Sequence, residues 1–137
     1  MPFVVDASIA VAWALKEIHA KASVALTRIR TEGGVVPSLW WFELRNGLLI
    51  GERRGRLTEH DTAFFLRRVS RLALTVDQAP DETGVPTLAR RHRLTVYDVA
   101  YLDLALRESL PLATLDKELA TAARAEGVAL IGDDIDR

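Results

Sequence analysis

The chain has 137 residues, of which 49% are hydrophobic and 27% are charged, and it contains no cysteine. This composition excludes a disordered chain, a disulfide-stabilised scaffold, a zinc site built on thiolates and a cysteine nucleophile. The 18 basic and 19 acidic residues give a formal net charge of -1, which argues against a protein that coats nucleic acid through a global positive potential. The length favours one domain with a substantial core, and we expect residues 1–137 to form it.

Hydrophobic periodicity divides the chain into short strands and longer helices. In chain order it predicts a strand at 3–5, a helix at 8–15 capped by Ser8, a helix at 18–30, a strand at 35–36, a helix from 37 to about 51–55, a helix at 58–71, a strand at 72–76, helices at 82–92 and 96–109, a strand at 110–114, a helix at 117–125 and a strand at 128–131. The apolar run at 3–15 is interrupted by Asp6 and is too short for a membrane span, so we expect a soluble, cytoplasmic protein that does not contact membranes.

This alternation of elements predicts an α/β fold, with a short, mostly parallel sheet flanked by helices on both faces. In such folds, ligand sites form at the carboxyl ends of the strands. Asp6 and Asp116 each directly follow a predicted strand. Their positions therefore make both aspartates candidate site residues.

Four acidic residues stand out, but three of them also have a purely structural interpretation. An aspartate between a strand and a helix is often an N-cap or a turn residue, which is the alternative for Asp6 and Asp116. Asp98 follows Thr95 at nearly the spacing of a capping box. Glu43 is harder to explain in this way, because it lies on a largely apolar helix face beside aromatic residues, where a lone carboxylate is unfavourable.

Grouped carboxylates repel one another and raise one another's pKa values, and a divalent cation relieves both the repulsion and the penalty of burial. Oxygen ligands without sulfur favour Mg²⁺ or Mn²⁺. Asp103 lies about 140° around the helix from Asp98 and is therefore expected to point away from such a site. The histidines are expected on the surface; they are His19, His60 and His92.

Each of the four acids lies in a short sequence motif. The motifs are Val-Val-Asp-Ala-Ser at Asp6, Phe-Glu-Leu-Arg-Asn-Gly-Leu at Glu43, Leu-Thr-Val-Tyr-Asp-Val-Ala-Tyr-Leu at Asp98 and Leu-Ala-Thr-Leu-Asp-Lys-Glu-Leu at Asp116. Together they resemble the motifs of the PIN-domain ribonucleases, most closely the VapC toxins of prokaryotic toxin–antitoxin pairs. The resemblance covers essentially the whole chain.

The resemblance implies a metal-dependent endoribonuclease that hydrolyses RNA phosphodiester bonds with one or two Mg²⁺ or Mn²⁺ ions. The residues that would hold the metal and carry catalysis are Asp6, Glu43, Asp98 and Asp116. Hydroxyl and amide side chains would brace this cluster, and the matching residues are Ser8, Asn46 and Thr114. Hydrolysis by metal-activated water requires no histidine.

The resemblance also implies two protein partners. Members are commonly homodimers, and a cognate antitoxin of the VapB type covers the acidic site. Aromatic side chains are the candidates for these surfaces, although most large aromatics in a small domain belong to the core. The candidates are Trp40, Trp41 and the helix that carries Phe64 and Phe65.

Other charged groups have a simple default interpretation as solvated surface. The arginine clusters at 53–56, 67–71 and 90–93 are expected at helix ends and faces, although one of them would suit an RNA backbone. The terminal acids Asp133, Asp134 and Asp136 are expected to form a solvated tail.

Two rival functions remain to be weighed. A phosphoacceptor signalling domain normally has paired acids after its first strand and a lysine on its last strand, whereas Ala7 follows Asp6 here and residues 128–131 contain no lysine. A PIN-fold RNA-binding or adaptor module without catalytic turnover stays open, although the presence of all four acids favours the enzyme.

Overall fold

The computed structural model describes residues 1–133, and within them it contains four strands and seven helices. They are β1 (Phe3–Val5), α1 (Ala7–Leu15), α2 (Ala20–Glu32), β2 (Gly34–Pro37), α3 (Leu39–Arg53), α4 (Glu59–Val69), β3 (Leu74–Asp77), α5 (Gly84–His92), α6 (Val96–Glu108), β4 (Leu112–Ala113) and α7 (Lys117–Ala125). In this part of the chain, none of the helices has both the length and the apolar character needed to cross a bilayer.

The strands form one parallel sheet in the order β3-β2-β1-β4. The central strand β1 is fully buried along its length, which is what an uninterrupted apolar run in a parallel sheet requires. Val5 pairs with Ala113, so β1 and β4 end at the same edge of the sheet. The fold class predicted from the sequence, α/β with a parallel sheet flanked by helices, is confirmed.

The predicted start of the first helix is wrong. Asp6, not Ser8, occupies the N-cap position of α1, in an extended conformation and without a side-chain capping hydrogen bond. The Ser8 hydroxyl donates to the Asp6 carboxylate instead. The chain therefore turns from β1 into α1 at Asp6 itself.

Near the C terminus, two predicted strands are shorter than expected. The strand predicted at 110–114 is restricted to Leu112–Ala113, and the run at 128–131 makes only an isolated parallel bridge between Leu112 and Leu130. Two backbone hydrogen bonds to Leu112 hold this bridge. The run at 128–131 therefore does not extend the sheet as a fifth strand.

Other boundaries shift by a few residues for local reasons. Lys16 adopts the left-handed conformation (φ 54°) and ends α1, so α2 starts at Ala20 after a short link. The Leu72 N–H bonds to the Val69 carbonyl and closes α4, which moves the start of β3 to Leu74. These shifts leave the order of the elements unchanged.

Helices α1 and α3 approach closely at Gly47. A Cβ atom on Gly47 would lie 2.6 Å from Val11 Cγ2, closer than any side chain permits. The missing side chain thus allows α3, which carries Glu43, to pack against the helix that begins beside Asp6.

Candidate functional site

A cavity of about 420 Å³ opens at the carboxyl ends of β1 and β4, and all four predicted acids line it. Two of them follow strands, while Glu43 comes from α3 and Asp98 from the first turn of α6. The lining residues are Asp6, Ala7, Ser8, Val11, Ala12, Glu17, Glu43, Asn46, Gly47, Asp98, Leu115 and Asp116. The fold therefore gathers carboxylates that are far apart in sequence.

Asp6 is the most buried of these acids, with 8% of its surface exposed. Its Oδ2 atom accepts hydrogen bonds from Ser8 Oγ and Thr114 Oγ1, both at 2.7 Å. Within residues 1–133 its other oxygen, Oδ1, accepts none. The carboxylate is thus fixed through one oxygen and retains the other for a ligand.

The two hydroxyl groups also bind the segment that follows β4. Ser8 Oγ accepts the Leu115 N–H at 3.0 Å, and Thr114 Oγ1 accepts the Asp116 N–H at 3.0 Å. Each hydroxyl oxygen accepts one backbone N–H, and each hydroxyl has a single proton, which it donates to Asp6. This arrangement sets both the orientation of Asp6 and its distance from Asp116.

Glu43 is held by a residue that the sequence analysis did not identify. The buried Tyr101 hydroxyl donates to Glu43 Oε1 at 2.5 Å. Burial, followed by the hydrogen bond to Glu43, raises the pKa of Tyr101, so the phenol stays a donor. A sequence signal existed, because Tyr101 follows Asp98 by three residues and therefore shares its face of α6.

The capping interpretations are only partly realised. Asp116 does cap α7, since its Oδ1 accepts the N–H groups of Glu118 at 2.9 Å and Leu119 at 3.2 Å. At the start of α6, Thr95 accepts the Asp98 N–H, but no reciprocal bond from the Asp98 carboxylate is present. The Asp98 carboxylate is therefore not used as a cap.

Burial and mutual repulsion both act on the acids of this cavity. Burial raises the pKa of Asp6; the hydroxyl hydrogen bonds oppose the rise, and the charges of Asp116 and Asp98 add to it. Burial likewise raises the pKa of Glu43, against the Tyr101 hydrogen bond and together with the charges of Asp6 and Asp98. A cation in the cavity would relieve both effects.

The donor set fits a hard divalent cation. The cavity offers carboxylate oxygens, the Asn46 amide and the Ser8 hydroxyl, and neither histidine nor sulfur lines it. Within residues 1–133, no three acidic or histidine side chains converge tightly enough to hold an ion as they stand. The arrangement suits Mg²⁺ or Mn²⁺, since Mg²⁺ usually keeps several waters and binds only one or two protein carboxylates.

Two residues on the rim complete the cavity. Asn46 is exposed and lies one turn after Glu43 on α3. Glu17, in the link between α1 and α2, is a further acid that the sequence analysis missed; it pairs with His19 at 3.1 Å and Arg56 at 3.5 Å. No local motif marks Glu17, because only the fold brings its link to the cavity.

The structure separates Asp103 from this site, as predicted. Asp103 is buried outside the cavity and pairs with Arg107 at 2.8 Å, and Arg107 also binds Asp77 at 2.8 Å. Asp133 pairs with Arg124, while Asp134 and Asp136 lie outside the described residues.

Two surface expectations are wrong. His92 is largely buried, with 13% of its side chain exposed, and bonds to Glu126 at 2.6 Å, whereas His19 and His60 are exposed as predicted. Trp40 is 6% exposed and belongs to the core, so it cannot form a docking surface. Trp41 and Phe64, at 52% and 50%, remain available.

Comparisons with known proteins agree with this architecture. The crystal structure of PAE2754 from Pyrobaculum aerophilum is similar over 100% of this chain and 94% of its own, with a TM-score of 0.75 and 25% sequence identity. Comparison with curated protein sequences finds no match. The family model of the PIN domain matches residues 3–125. The chain therefore belongs to the PIN domain family.

Proposed function

We propose that this chain is a Mg²⁺- or Mn²⁺-dependent endoribonuclease of the VapC toxin type, formed by residues 1–137 as one domain and active in the cytoplasm. Membership of the PIN family indicates the nuclease superfamily, whose members usually depend on divalent metal ions. The observation that carries the proposal is the convergence of four carboxylates on one cavity at the carboxyl edge of the sheet. Both Asp6 and Glu43 have raised pKa values there, which a bound cation would reverse.

Each side chain has a role in this proposal. Asp6, Glu43, Asp98 and Asp116 would hold the ion, which when bound supplies Lewis-acid chemistry for phosphodiester hydrolysis. The hydroxyls on Asp6 Oδ2 orient its carboxylate so that Oδ1 stays free to bind the ion. Tyr101 positions Glu43 in the same way through Oε1.

A cleavage assay tests the proposal. Purified chain is incubated with a mixed pool of structured RNAs, with and without Mn²⁺, beside Asp6→Asn and Asp98→Asn variants and the exposed control Glu59→Gln. We expect Mn²⁺-dependent cutting that both aspartate variants lose and the control keeps. Mn²⁺ binding without cutting would favour an RNA-binding or adaptor role, whereas absence of both would refute the metal-dependent enzyme.

The proposed antitoxin has a suitable groove. A cavity of about 520 Å³ beside α1, α2 and α4 is lined by apolar side chains, including the half-exposed Phe64, and it has one acid, Asp61. Its basic residues are Lys16, Arg30, Arg56, Arg68 and Arg71. This lining complements an amphipathic acidic segment of a VapB-type partner.

The proposed homodimer has a separate candidate surface on α3. Trp41 and the 68% exposed Phe42 stack edge to face with ring centroids 5.0 Å apart. Exposed aromatic pairs of this kind are enriched at protein interfaces. Sedimentation of a Phe42→Ser variant against the unmodified chain tests this surface, and an unchanged dimer mass would exclude it.

A further inference from the structure

A further depression, the basic cleft, lies beside the acidic cavity. It has a volume of about 390 Å³, and its walls include Arg93, Leu94, Lys117, Glu118 and Thr121. Arg93 and Lys117 are both exposed. The cleft therefore offers two cationic groups and one anionic group.

The same two chain segments form walls of the acidic cavity and of the basic cleft. Asp116 lines the cavity, and the next residue, Lys117, lines the cleft. Arg93 lines the cleft shortly before α6 begins, and Asp98 lines the cavity from the first turn of that helix. Because the Cα atoms of consecutive residues are about 3.8 Å apart, the cleft lies next to the cavity at residues 116–117.

The cations of the cleft are free to bind a ligand. Within residues 1–133, Arg93 and Lys117 take part in no ion pair, whereas the nearby Arg91 is held by Glu126 through bonds of 2.8 and 3.0 Å. Arg93 also has a left-handed backbone (φ 54°), a conformation that favours glycine. The chain thus places a long cation where helix geometry alone would favour a residue without a side chain.

We propose that Arg93 and Lys117 bind a backbone phosphate of single-stranded RNA next to the phosphate that enters the acidic cavity. This inference rests on the proposed nuclease function and adds a substrate contact to it. RNA entering a cavity with four carboxylates meets repulsion, and the net charge of -1 offers no general attraction. Local cations at the neighbouring phosphate overcome this repulsion and fix the position of the strand.

Binding of a labelled 12-nucleotide single-stranded RNA, measured by fluorescence anisotropy in EDTA, tests the contact without turnover. The variants are Arg93→Gly and Lys117→Gln, with Arg90→Gln as a control, because Arg90 is exposed on α5 and lines neither depression. Neutralising one phosphate contributes about 0.7 to the slope of log K against log salt, which corresponds to about fivefold in Kd at 0.1 M salt. We expect a loss of RNA affinity of up to that size in each cleft variant and none in the control.

Arg93→Gly also separates binding from folding. Glycine suits the left-handed backbone at this position, so the melting temperature of the Arg93→Gly variant should not fall below that of the unmodified chain. If the unmodified chain cuts RNA but both cleft variants bind like Arg90→Gln, the cleft assignment is wrong and the nuclease function stands. If all three variants lose RNA affinity equally, the loss reflects only the change in net charge, and the cleft assignment is also wrong. A chain that neither binds nor cuts RNA would overturn both proposals.

Discussion

Asp6→Asn distinguishes a metal ligand from a carboxylate that serves only as a structural hydrogen-bond acceptor. An asparagine Oδ1 atom can accept the hydrogen bonds that Ser8 and Thr114 now donate to Asp6 Oδ2, so the change removes the charge and leaves the contacts. Burial raises the pKa of Asp6 above its unfolded value, and this opposes folding at every pH above that value. Without metal, the variant should therefore be at least as stable as the unmodified chain at pH 7.

Changes in stability of this size shift the melting temperature by several degrees. An unfolding entropy of about 2.1 cal/mol/K per residue over 137 residues converts 1 kcal/mol into about 3.5 °C of melting temperature. If Asp6 had only a structural role, replacing its two charge-assisted hydrogen bonds by neutral ones would cost about 1 kcal/mol and lower the melting temperature by about 3.5 °C. Mn²⁺ at about 100 times its Kd stabilises by about 2.7 kcal/mol, or about 9 °C. The unmodified chain should show this increase, and Asp6→Asn should lose most of it.

Circular dichroism melts with and without Mn²⁺, at pH 7 and at lower pH, measure both quantities. The metal-free difference in stability between variant and unmodified chain should shrink as the pH falls through the ordinary aspartate pKa, because below it the folded and unfolded states both carry the proton. Asp116→Asn is a matched comparison, since its amide oxygen keeps the cap on α7. A metal-free variant that melts about 3.5 °C lower and keeps the full Mn²⁺ shift would refute the ligand role of Asp6.

Three further changes probe the supports of the site. Tyr101→Phe removes the donor to Glu43 and should weaken Mn²⁺ binding, measured by calorimetry, by about 10-fold or more. Gly47→Ala forces a Cβ to within 2.6 Å of Val11 Cγ2 and should lower the unfolding free energy by up to about 2 kcal/mol, after its gain in helix propensity. Adding Val11→Ala should restore part of that loss in thermal melts. Asp116→Ala should lose both RNA cleavage and about 1 kcal/mol of stability, because the cap on α7 is removed.

Each of these changes has an outcome that contradicts the structural argument. Unchanged Mn²⁺ affinity in Tyr101→Phe would mean that Glu43 needs no hydroxyl support. A Gly47→Ala variant as stable as the unmodified chain would mean that α1 and α3 separate without penalty. Full stability in Asp116→Ala would show that the two N–H bonds of the cap contribute nothing.

Elements with clear local signals were predicted well from the sequence. The bounds predicted for β1 and α7 agree with the structure, because an apolar run ends at Asp6 in one case and the Asp116 cap starts the helix in the other. The run at 128–131 has equally apolar residues, yet it forms only a bridge. Its pairing is limited to the contact with Leu112, and this tertiary arrangement is not encoded in local composition.

The convergence of the acids was predictable where position along the chain carries the information. Asp6 and Asp116 follow strands, and the parallel sheet brings those strand ends together. The contact between Tyr101 and Glu43 joins residues 58 positions apart, and its geometry follows from helix packing. His92 shows the same limit, since its burial depends on Glu126 at the end of another helix.

The bond between Thr114 and Asp6 joins residues 108 positions apart, and this separation governs when the site can exist during synthesis. A nascent chain in which β4 is not yet exposed already contains Asp6, Glu43 and Asp98. It still lacks the Thr114 hydroxyl that binds Asp6, and it lacks Asp116. A product released early by a stalled ribosome is therefore unable to assemble the carboxylate cluster. Any chemistry that the cluster supports therefore begins only after Thr114 and Asp116 have been synthesised and β4 has paired with β1.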